Sequence, residues 1–552
     1  MPFLVYEPRP RSLHDMLQTG LRWQERTHLV HLGERLTFAG VDERADAVAA
    51  ALHSRGVAAG DRVMLIGTNS IDYVTTFWGI VAAGAVVVLG NGWWSAAEVD
   101  HARTVSEPTL ILSSMTRPIP GAISLEEITS EQAVDSAAIG QGSPAYPAHE
   151  DDAAVILFTS GSTGAPKGAV LSHRACIALQ HTLMHITRRL PGQLGADHPA
   201  DINLQTGPLF HIGGVQALVR TWLLGGTLIL PAGRFDPAEV VDLIERERVV
   251  RWGGVPTMIS RVLAVPGIEE RDLTSLRSLT LGGSTVSPEL IERTRVVFPN
   301  AASGVTQIYG LSEAGGTLTV ASAKDLAARP GTVGRALPVV ELEIRSSGDD
   351  GVGEIFARSP AQMSGYYGTD DDPTQTTDGW IATGDLGRIV DGYLYLTGRS
   401  KDLIIRGGEN IAAAHVEANL TRQPGSKRSS SGRPARRRSG RDRRSRRPTG
   451  RRRHDHHRRP DRDGTSTARL LRSALAMVGA HHRTPHQPGR QDRQTGAPTD
   501  LPRRATNRRA HTPRPIPGRP TVTTALRAGQ TGWRSVGTRL ESRRSDSGIA
   551  SV

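Results

Sequence analysis

The sequence has a single cysteine, Cys176, in 552 residues. One thiol excludes a disulfide scaffold and a zinc site built on cysteines, and its apolar surroundings predict a core residue rather than a nucleophile. Long apolar runs are also missing. The longest, Phe77 to Gly90, is shorter than the roughly 20 residues of a membrane-spanning helix. The first residues lack the pattern of a signal peptide. We therefore expect a cytoplasmic protein without a transmembrane segment, and peripheral association with a membrane stays open.

Lysine is absent after Lys427, although the carboxyl-terminal part of the chain is strongly basic. Residues 1–420 contain 33 Lys and Arg against 47 Asp and Glu, a net charge of −14. Residues 421–552 contain 34 basic and 8 acidic residues, a net charge of +26, and 33 of the basic residues are arginine. The overall charge of +12 is therefore the sum of an acidic body and an arginine-rich tail.

The tail, residues 421–552, raises the alternative of a protein that binds nucleic acid non-specifically through counterion release. Two features oppose this alternative. Basic nucleic-acid tails usually mix lysine with arginine, and the only Phe, Trp or Tyr of the tail is Trp533, so bases would find no stacking platform. The tail also lacks apolar periodicity, which predicts disorder. We expect no specific nucleic-acid partner.

The sequence pattern of the acidic body, residues 1–420, is typical of an α/β protein. The periodicity predicts a helix over Pro237 to Val249, with proline in its first turn. Short apolar runs that end in Gly or Pro predict buried strands at Ala153–Phe158, Gly226–Pro231 and Leu276–Gly283. Such alternation predicts a parallel sheet. Later segments, Val340–Ser347 and Asp391–Arg399, predict strands joined as hairpins.

A strand runs into a Gly/Ser/Thr-rich loop at ILFTSGSTGAPKGAVLSH, Ile156 to His173. Glycines let backbone N–H groups turn toward one anion, hydroxyls add donors, and Lys167 adds a positive charge. The segment therefore predicts a polyphosphate-binding loop. It is not a Walker loop, because Pro166 occupies the position where that pattern requires glycine.

The whole string resembles the signature loop of the adenylate-forming superfamily, which comprises acyl-CoA synthetases, luciferases and the adenylation domains of peptide synthetases. The resemblance covers roughly residues 10–420. Ser312 replaces the usual Thr of one motif, and Arg406 replaces the usual Lys of another. Further strings resemble the motifs of this family in the same order: PLFHIGG (Pro208–Gly214), LGGSTVS (Leu281–Ser287), QIYGLSEAGG (Gln307–Gly316), TGDLG (Thr383–Gly387) and GRSKDLIIRGGENI (Gly398–Ile411).

The resemblance implies an α/β fold with a large AMP-binding domain over residues 1–400, made of layered sheets and helices plus a small β-barrel-like subdomain. A hinge and the start of a truncated α+β C-terminal domain follow over 401–420. It also implies an ATP- and Mg²⁺-dependent carboxylate–CoA ligase that activates a fatty or other organic acid through an acyl-adenylate. Its partners would be the carboxylic acid and coenzyme A. The sequence does not indicate the acid or the oligomeric state.

The resemblance also assigns residues to roles. Glu313 would bind Mg²⁺, Ser312 would hydrogen-bond the α-phosphate, and His211 would act as a gate at the acyl site. Tyr309 would stack on adenine, Asp385 would accept the ribose hydroxyls, and Arg399 would contact ribose and phosphate. Asp402 would lie at the hinge between the domains. The β- and γ-phosphates would be held by Thr159, Ser160, Gly161, Ser162, Thr163, Gly164 and Lys167. The adenine and acyl pocket would be lined by Gly283, Ser284 and Gly310.

One element of the family is missing. The small domain should end in a Pro-x-x-x-x-Gly-Lys segment whose lysine reaches the carboxylate and the α-phosphate, and no Gly-Lys pair follows residue 420. We infer a change of reading frame near Gly425. The codons allowed for Thr484 to Gln494, read one base later, permit Leu-Pro-Thr-Asn-Pro-Ala-Gly-Lys-Ile-Asp-Lys. Those for Ser426 to Gly432, read two bases later, permit Glu-Glu-Val-Val-Val-Gly. The offsets differ, so either a second insertion or deletion lies between them or one match is chance.

The missing lysine leaves two readings of the activity. The chain as written would bind ATP but adenylate poorly and form little thioester. Alternatively, it is a catalytically dead adenylate-binding paralogue.

Overall fold

The computed structural model describes residues 3–130, 149–159, 166–190, 193–195, 197–283, 286–369, 376, 378–399, 403–406 and 409–412. The chain divides into two units, Met1–Ala476 and Met477–Val552, and all described residues belong to the first. The predicted tail and Asp402 therefore lie outside the described residues.

Twenty-two strands and eleven α-helices are found in the described part of the chain. The strands are β1 Thr27–His31, β2 Glu34–Thr37, β3 Arg62–Gly67, β4 Val86–Asn91, β5 Leu110–Ser113, β6 Ala122–Ser124, β7 Ala153–Thr159, β8 Lys167–Ser172, β9 Ile202–Gln205, β10 Thr227–Leu230, β11 Arg251–Gly254, β12 Ser278–Leu281, β13 Val305–Leu311, β14 Gly316–Ala321, β15 Thr332–Ala336, β16 Glu341–Arg345, β17 Gly353–Arg358, β18 Gly365–Tyr366, β19 Ile381–Val390, β20 Tyr393–Arg399, β21 Leu403–Arg406 and β22 Glu409–Ala412. The helices are α1 Leu13–Gly20, α2 Phe38–Ser54, α3 Ile71–Ala82, α4 Ala96–Ser106, α5 Leu125–Thr129, α6 His173–Ile186, α7 Ile212–Leu223, α8 Pro237–Arg246, α9 Pro256–Val262, α10 Pro288–Val297 and α11 Ala323–Ala328.

A seven-stranded sheet has the order β18-β8-β7-β4-β3-β5-β6. The strands from β7 to β6 pair in parallel, whereas β8 and β18 are antiparallel additions at one edge. After Arg62, strand β3 is apolar because both of its faces are covered: Val63 and Leu65 pack into one core, Met64 and Ile66 into another. The apolar run from Phe77 to Gly90 is divided between α3 and β4. No helix in the described ranges is long and apolar enough to cross a bilayer.

A second sheet has thirteen strands, in the order β16-β17-β19-β20-β15-β14-β13-β12-β11-β9-β10-β1-β2. The run from β13 to β1 is parallel, as the alternation of strands and helices predicts. The strands from β14 to β16 are antiparallel, and they include the predicted hairpin segments. The body is therefore a mixed rather than a purely parallel α/β structure.

Helix α8 shows how local sequence sets the element bounds. Asp236 caps its first turn by accepting a hydrogen bond from the Ala238 N–H, and Pro237 occupies the position where no N–H is needed. The helix ends at Arg246, three residues before the predicted end at Val249, because Arg248 takes a left-handed conformation with φ of 53°. Val249 is nevertheless buried, which explains why the apolar periodicity extends past the helix.

Candidate active site

The carboxyl ends of four neighbouring parallel strands bring the predicted motifs to one edge of the large sheet. In this sheet β13, β12, β11 and β9 lie side by side. The segment with His211 follows β9, Gly283 follows β12, and Glu313 follows β13. Ligand sites of α/β sheets form where such strand ends meet. The fold thus gathers segments that are up to about 100 residues apart in sequence.

The glycine-rich segment connects two antiparallel strands. Thr159, the last residue of β7, pairs with Lys167, the first residue of β8. The Thr159 Oγ1 atom is buried and has no hydrogen-bond partner among the described residues, which fits a group that awaits a ligand. His101 Nε2–H donates to the Pro166 carbonyl at 2.9 Å and holds the end of the loop. The predicted phosphate-binding residues Ser160, Gly161, Ser162, Thr163 and Gly164 lie outside the described residues.

Tyr366 connects the predicted phosphate lysine with the predicted metal ligand. The Lys167 Nζ atom lies 4.8 Å from the centroid of the Tyr366 ring, a cation–π distance. The Tyr366 hydroxyl donates a hydrogen bond of 2.8 Å to Glu313 Oε1. The Met363 N–H donates to the Glu313 carbonyl at 2.9 Å. Glu313 is therefore fixed through both its backbone and its side chain, and Tyr366 links it to the lysine.

A second group contains the residues predicted to hold adenosine. The Tyr309 hydroxyl donates to Asp385 Oδ2 at 2.9 Å, and Arg399 Nε lies 3.2 Å from Asp385 Oδ1. Tyr309 is nearly buried, and burial, followed by the charge of Asp385, raises its pKa, so it stays a neutral donor. Arg399 is mostly exposed, at 73% of its side chain. These contacts position the Asp385 carboxylate from two sides, a function of Tyr309 that its sequence motif does not indicate.

The backbone geometry explains why two positions of the predicted pocket are glycine. A Cβ atom at Gly310 would lie 1.8 Å from the Gly316 carbonyl oxygen, so the β13–β14 hairpin excludes any side chain there. Gly283 has a φ of +78°, a conformation that favours glycine. Ser284 lies outside the described residues, and Ser312 begins the short turn Ser312–Ala314 that presents Glu313.

His211 ends a row of aromatic rings. Its ring centroid is 4.7 Å from that of Phe210, which in turn is 5.4 Å from the ring of the half-exposed Trp93. Asn69, which lies just before α3, binds the backbone that leads to His211. Its Nδ2 donates to the Gly207 carbonyl at 2.8 Å, and its Oδ1 accepts from the Leu209 N–H at 2.9 Å. His211 keeps contact with solvent, while the surrounding protein lowers its pKa by desolvation, so the ring is neutral at pH 7.

A metal ion would need the substrate to complete its ligand shell. In the described ranges, no group of three or more His, Cys, Asp or Glu side chains could hold a metal by itself. Mg²⁺ commonly binds one or two carboxylates together with substrate phosphates and water. The carboxylate of Glu313, partly exposed and held by the Tyr366 hydroxyl, fits that kind of site. Cys176 does not belong to it, since burial in α6 raises its pKa to about 12 and keeps the thiol protonated.

The sequence motifs missed three residues of this site. Tyr366, His101 and Asn69 each bind a motif residue from a distant part of the chain, and none carries a local signal. Tyr366 lies on a two-residue strand, β18, that pairs with β8, with Tyr366 opposite Ala169. Isolated tyrosine, histidine and asparagine residues are read as core or surface residues, so only the tertiary structure identifies them.

Comparisons with known proteins agree with these motifs. The family model described as AMP-binding enzyme matches residues 18–367. Feruloyl-CoA synthase from an Amycolatopsis species is 33% identical over 410 residues, which cover 72% of this chain and 80% of that protein. A long-chain-fatty-acid–CoA ligase of Mycobacterium tuberculosis is 32% identical over 412 residues, covering 71% and 78%.

A solved structure that contains ATP and a magnesium ion is also similar to this chain. The o-succinylbenzoate coenzyme A synthetase from Bacillus subtilis, in complex with ATP and magnesium ion, is 26% identical with a TM-score of 0.64, and the match covers 73% of this chain and 83% of that one. The family match covers more than half of the sequence. The chain therefore belongs to the AMP-binding enzyme family, the adenylate-forming ligases that include acyl- and aryl-CoA synthetases.

Proposed function

We propose that this chain is a carboxylate–CoA ligase that activates a fatty or other apolar organic acid as its acyl-adenylate. Adenylate-forming CoA ligases use ATP and Mg²⁺, with coenzyme A as the acyl acceptor. A carboxylate is a poor acyl donor, and its attack on the α-phosphate of ATP yields an adenylate and pyrophosphate. A thiol then displaces AMP. The observation that carries the proposal is that Tyr366 contacts both groups: its ring lies beside Lys167 and its hydroxyl binds Glu313.

The phosphate end of the site would act by charge. Lys167 and the hydroxyl of Thr159 would hold the β- and γ-phosphates, together with the loop residues 160–164. Ser312 would donate to the α-phosphate. Glu313 would hold the magnesium ion, whose chemistry is to neutralise phosphate charge as it develops. Stabilisation of that charge is the main task in phosphoryl and adenylyl transfer.

The adenosine end would act by position. Asp385, held by Tyr309 and Arg399, would accept the ribose hydroxyls. Tyr309, whose hydroxyl binds Asp385, would stack on the adenine base. Gly283, Ser284 and Gly310 would line the pocket around the base. Fixing the nucleotide in this way converts the encounter of acid and ATP into a reaction between held groups, which lowers the entropic part of the barrier.

The acyl end would lie along the aromatic row. A neutral His211, with Phe210 and the half-exposed Trp93, provides an apolar wall that suits an uncharged acyl chain or ring better than a second charge. His211 would act as the gate between this wall and the reacting carboxylate. The relatives named above act on an aromatic and on a long-chain acid, so the assay needs both classes.

The proposal is tested by ATP–pyrophosphate exchange with ferulate, octanoate, palmitate and succinate, followed by thioester formation with coenzyme A. We expect exchange above background with at least one apolar acid and none with succinate. Exchange with no acid, even after the missing lysine segment is restored, would support a dead adenylate-binding paralogue instead. Adenylate formation without transfer to coenzyme A, in the protein with the restored lysine segment, would leave activation intact and remove the ligase assignment.

Substitution of Glu313 by glutamine should separate the effect on metal binding from the effect on phosphate binding. Glu313→Gln removes the negative charge but keeps a similar shape, so we expect about tenfold weaker binding of ATP in the presence of Mg²⁺, a loss of about 1.4 kcal/mol. In the presence of EDTA, binding of metal-free ATP should be unchanged or tighter, because a carboxylate that repels phosphate is gone. Titration calorimetry measures both. Glu270→Gln, an exposed residue of the same charge, is the matched control.

A weakening of metal-free ATP binding in Glu313→Gln equal to that of MgATP would contradict the metal role. It would indicate that the substitution disturbs the whole loop.

Removal of one hydroxyl should test Tyr366 as a positioning residue. Tyr366→Phe keeps the ring beside Lys167 and removes the hydrogen bond to Glu313. We expect MgATP binding to weaken about threefold to tenfold, within the range for one ordinary hydrogen bond, with metal-free ATP unaffected. Tyr367→Phe, at the adjacent position, is the control. Equal behaviour of the two variants would show that the Tyr366 hydroxyl does not position the carboxylate.

A further inference from the structure

Three arginines line a cavity at the end of the large sheet that lies away from the motifs. Arg251 begins β11, Arg220 lies in the last turn of α7, and Arg189 follows α6. With Asp201, Asn203 and Thr221 they line a cavity that is open to solvent, so its volume of about 330 Å³ includes open solvent and is not enclosed. His211 caps the amino end of α7, so Arg220 lies about 14 Å further along the helix axis. We call these six residues the arginine cavity; it is separate from the site described above.

The charges of the arginine cavity do not balance. Arg251 Nε donates to Asp201 Oδ2 at 2.7 Å, and Arg189 Nη1 binds the same oxygen. Burial opposes the ionisation of Asp201, but Arg251 and Arg189 outweigh it and hold the pKa of this carboxyl below its usual value. One carboxylate therefore faces three guanidinium groups, which leaves a local charge of +2 among the cavity residues.

Arg220 is the cation without a counterpart. Its carbonyl accepts from the Leu224 N–H, but within the described ranges its guanidinium group forms neither a hydrogen bond nor an ion pair. Burial, and then the charge of Arg251, lowers the pKa of Arg220 to about 10, so it remains charged at neutral pH. A guanidinium carries five N–H donors. Arg220 is partly exposed, so these donors face the open cavity, where an acceptor can reach them.

A second group at the same place also lacks a partner. Thr221 is 2% exposed and lines the cavity next to Arg220, and its Oγ1 atom is buried without a hydrogen-bond partner among the described residues. Buried hydroxyl groups are normally paired. An unpaired cation and an unpaired hydroxyl in one positively charged cavity both call for the same kind of ligand, an oxygen-rich anion.

We propose that the arginine cavity binds a compact oxyanion of the phosphate class, as a binding site distinct from the ATP site. A tetrahedral anion presents several oxygens to donors that converge from three directions, and guanidinium groups match such oxygens in pairs. The anion would neutralise the excess charge of the three arginines while Asp201 continues to orient Arg189 and Arg251. The same chemistry occurs in free phosphate and in the headgroup of an anionic lipid.

The test uses the full chain and inorganic phosphate as the probe, in titration calorimetry. Lys167→Ala serves as the background, because it weakens phosphate binding at the glycine-rich loop. In this background we expect a phosphate site that Arg220→Gln weakens at least tenfold. Arg188→Gln is the matched control, since it removes the same charge from an exposed neighbour of Arg189. Equal phosphate affinity in the Arg220 and Arg188 variants would overturn the proposal.

Thermal unfolding guards against a variant that fails to fold. Removal of an unpaired cation from beside two others should leave the melting temperature of Arg220→Gln unchanged or higher in phosphate-free buffer. In the Lys167→Ala background, phosphate should raise the melting temperature of the Arg188→Gln protein and not that of Arg220→Gln, because a ligand that binds only the folded state stabilises it. A similar rise in both variants would contradict the site.

Vesicle sedimentation distinguishes the two sources of phosphate. Both variants keep the arginine-rich tail, so a difference between them reports the cavity alone. If Arg220→Gln loses binding to vesicles that contain phosphatidylglycerol while Arg188→Gln does not, and free phosphate does not compete, the ligand is a lipid headgroup. If free phosphate binds and the vesicles do not discriminate, the ligand is a soluble oxyanion. Absence of a difference in both experiments would refute the proposal.

Discussion

Restoration of the reading frame after about residue 425 should raise adenylate formation by about 10²–10³-fold, the range for removal or return of one group that stabilises a transition state. The chain as written contains no lysine after Lys427. By its resemblance to the family, the missing lysine would bring a positive charge to the α-phosphate and the attacking carboxylate at the moment when negative charge increases there. Lys167 would stay with the β- and γ-phosphates and would not replace it.

The measurement is ATP–pyrophosphate exchange at saturating ATP, for the chain as written and for the protein with the restored segment Leu-Pro-Thr-Asn-Pro-Ala-Gly-Lys. A restored protein with alanine in place of that lysine is the control, since it keeps the small domain and lacks only the charge. Its rate should be close to that of the chain as written. Comparable rates for the written and the restored chain would show that the lysine is dispensable or replaced.

Binding of ATP provides a second, independent comparison. The residues proposed to hold the nucleotide, such as Lys167, Tyr309 and Asp385, all precede residue 420, so the written and restored chains should bind ATP with affinities within about threefold of each other. A chain that binds ATP well and exchanges pyrophosphate poorly would have a complete nucleotide site and an incomplete catalytic one. Poor ATP binding by both chains would instead count against the proposed nucleotide site.

Local signals account for the parts of the site that sequence could predict. The segment Ile156 to His173 combines a buried strand with a Gly/Ser/Thr-rich loop, and the structure has β7 and β8 on either side of that loop. Glu313 follows β13 and Gly283 follows β12 for the same reason: each lies directly after an apolar strand, and parallel strands end at one edge. Such features depend on a few adjacent residues, so the sequence predicts them without knowledge of the fold.

The rest depends on contacts between distant segments. The hydrogen bond from Tyr366 to Glu313 joins residues 53 positions apart, and the bond from His101 to Pro166 joins residues 65 apart. The antiparallel strands of the large sheet show the alternation of apolar and polar residues that any half-buried strand shows. The sequence of each strand therefore does not reveal which strand it pairs with. The arginine cavity combines three segments whose charges, taken singly, look like ordinary surface residues. Pairing across the fold creates all of these features, and no sequence window contains them.

Acidification from about pH 7 to about pH 5 should lower the free energy of unfolding by about 2 kcal/mol through His28 alone, roughly a 30-fold change in the folding equilibrium. His28 lies on β1, is fully buried against Phe38 and Trp222, and donates through Nδ1 to the Gly226 carbonyl at 3.0 Å. Burial lowers its pKa to about 4, and the Gly226 carbonyl recovers only part of that shift.

The sign follows from proton binding. The unfolded chain takes up a proton on this histidine near its ordinary pKa of about 6.5, whereas the folded protein resists protonation down to about 4. The contribution is therefore fully present above about pH 6.5 and is lost as the pH falls toward 4. His181, whose pKa burial and the charge of Arg9 also lower to about 4, should add a similar loss.

Three carboxyls oppose this trend, since burial raises the pKa of Asp46 and Asp72 as well as that of Asp42. Burial, followed by the charge of Asp46, raises the pKa of Asp42 to about 6. Its folded form therefore gains a proton as the pH falls from 7 to 5, which stabilises the protein by about 1 kcal/mol. The two histidines together outweigh Asp42, so the sum of these three groups stays destabilising, at about 2–3 kcal/mol.

Denaturant unfolding at both pH values, in the protein and in His28→Gln, measures this contribution. Glutamine retains a donor for the Gly226 carbonyl and cannot be protonated, so the variant should lose about 2 kcal/mol less than the parent on acidification. The same strand supplies the control: His31 Nδ1 also donates to a carbonyl of β10, that of Leu230, at 3.1 Å, but it is only partly buried. His31→Gln should keep the pH dependence of the parent. An equal flattening in both variants would show that burial of His28 is not the cause.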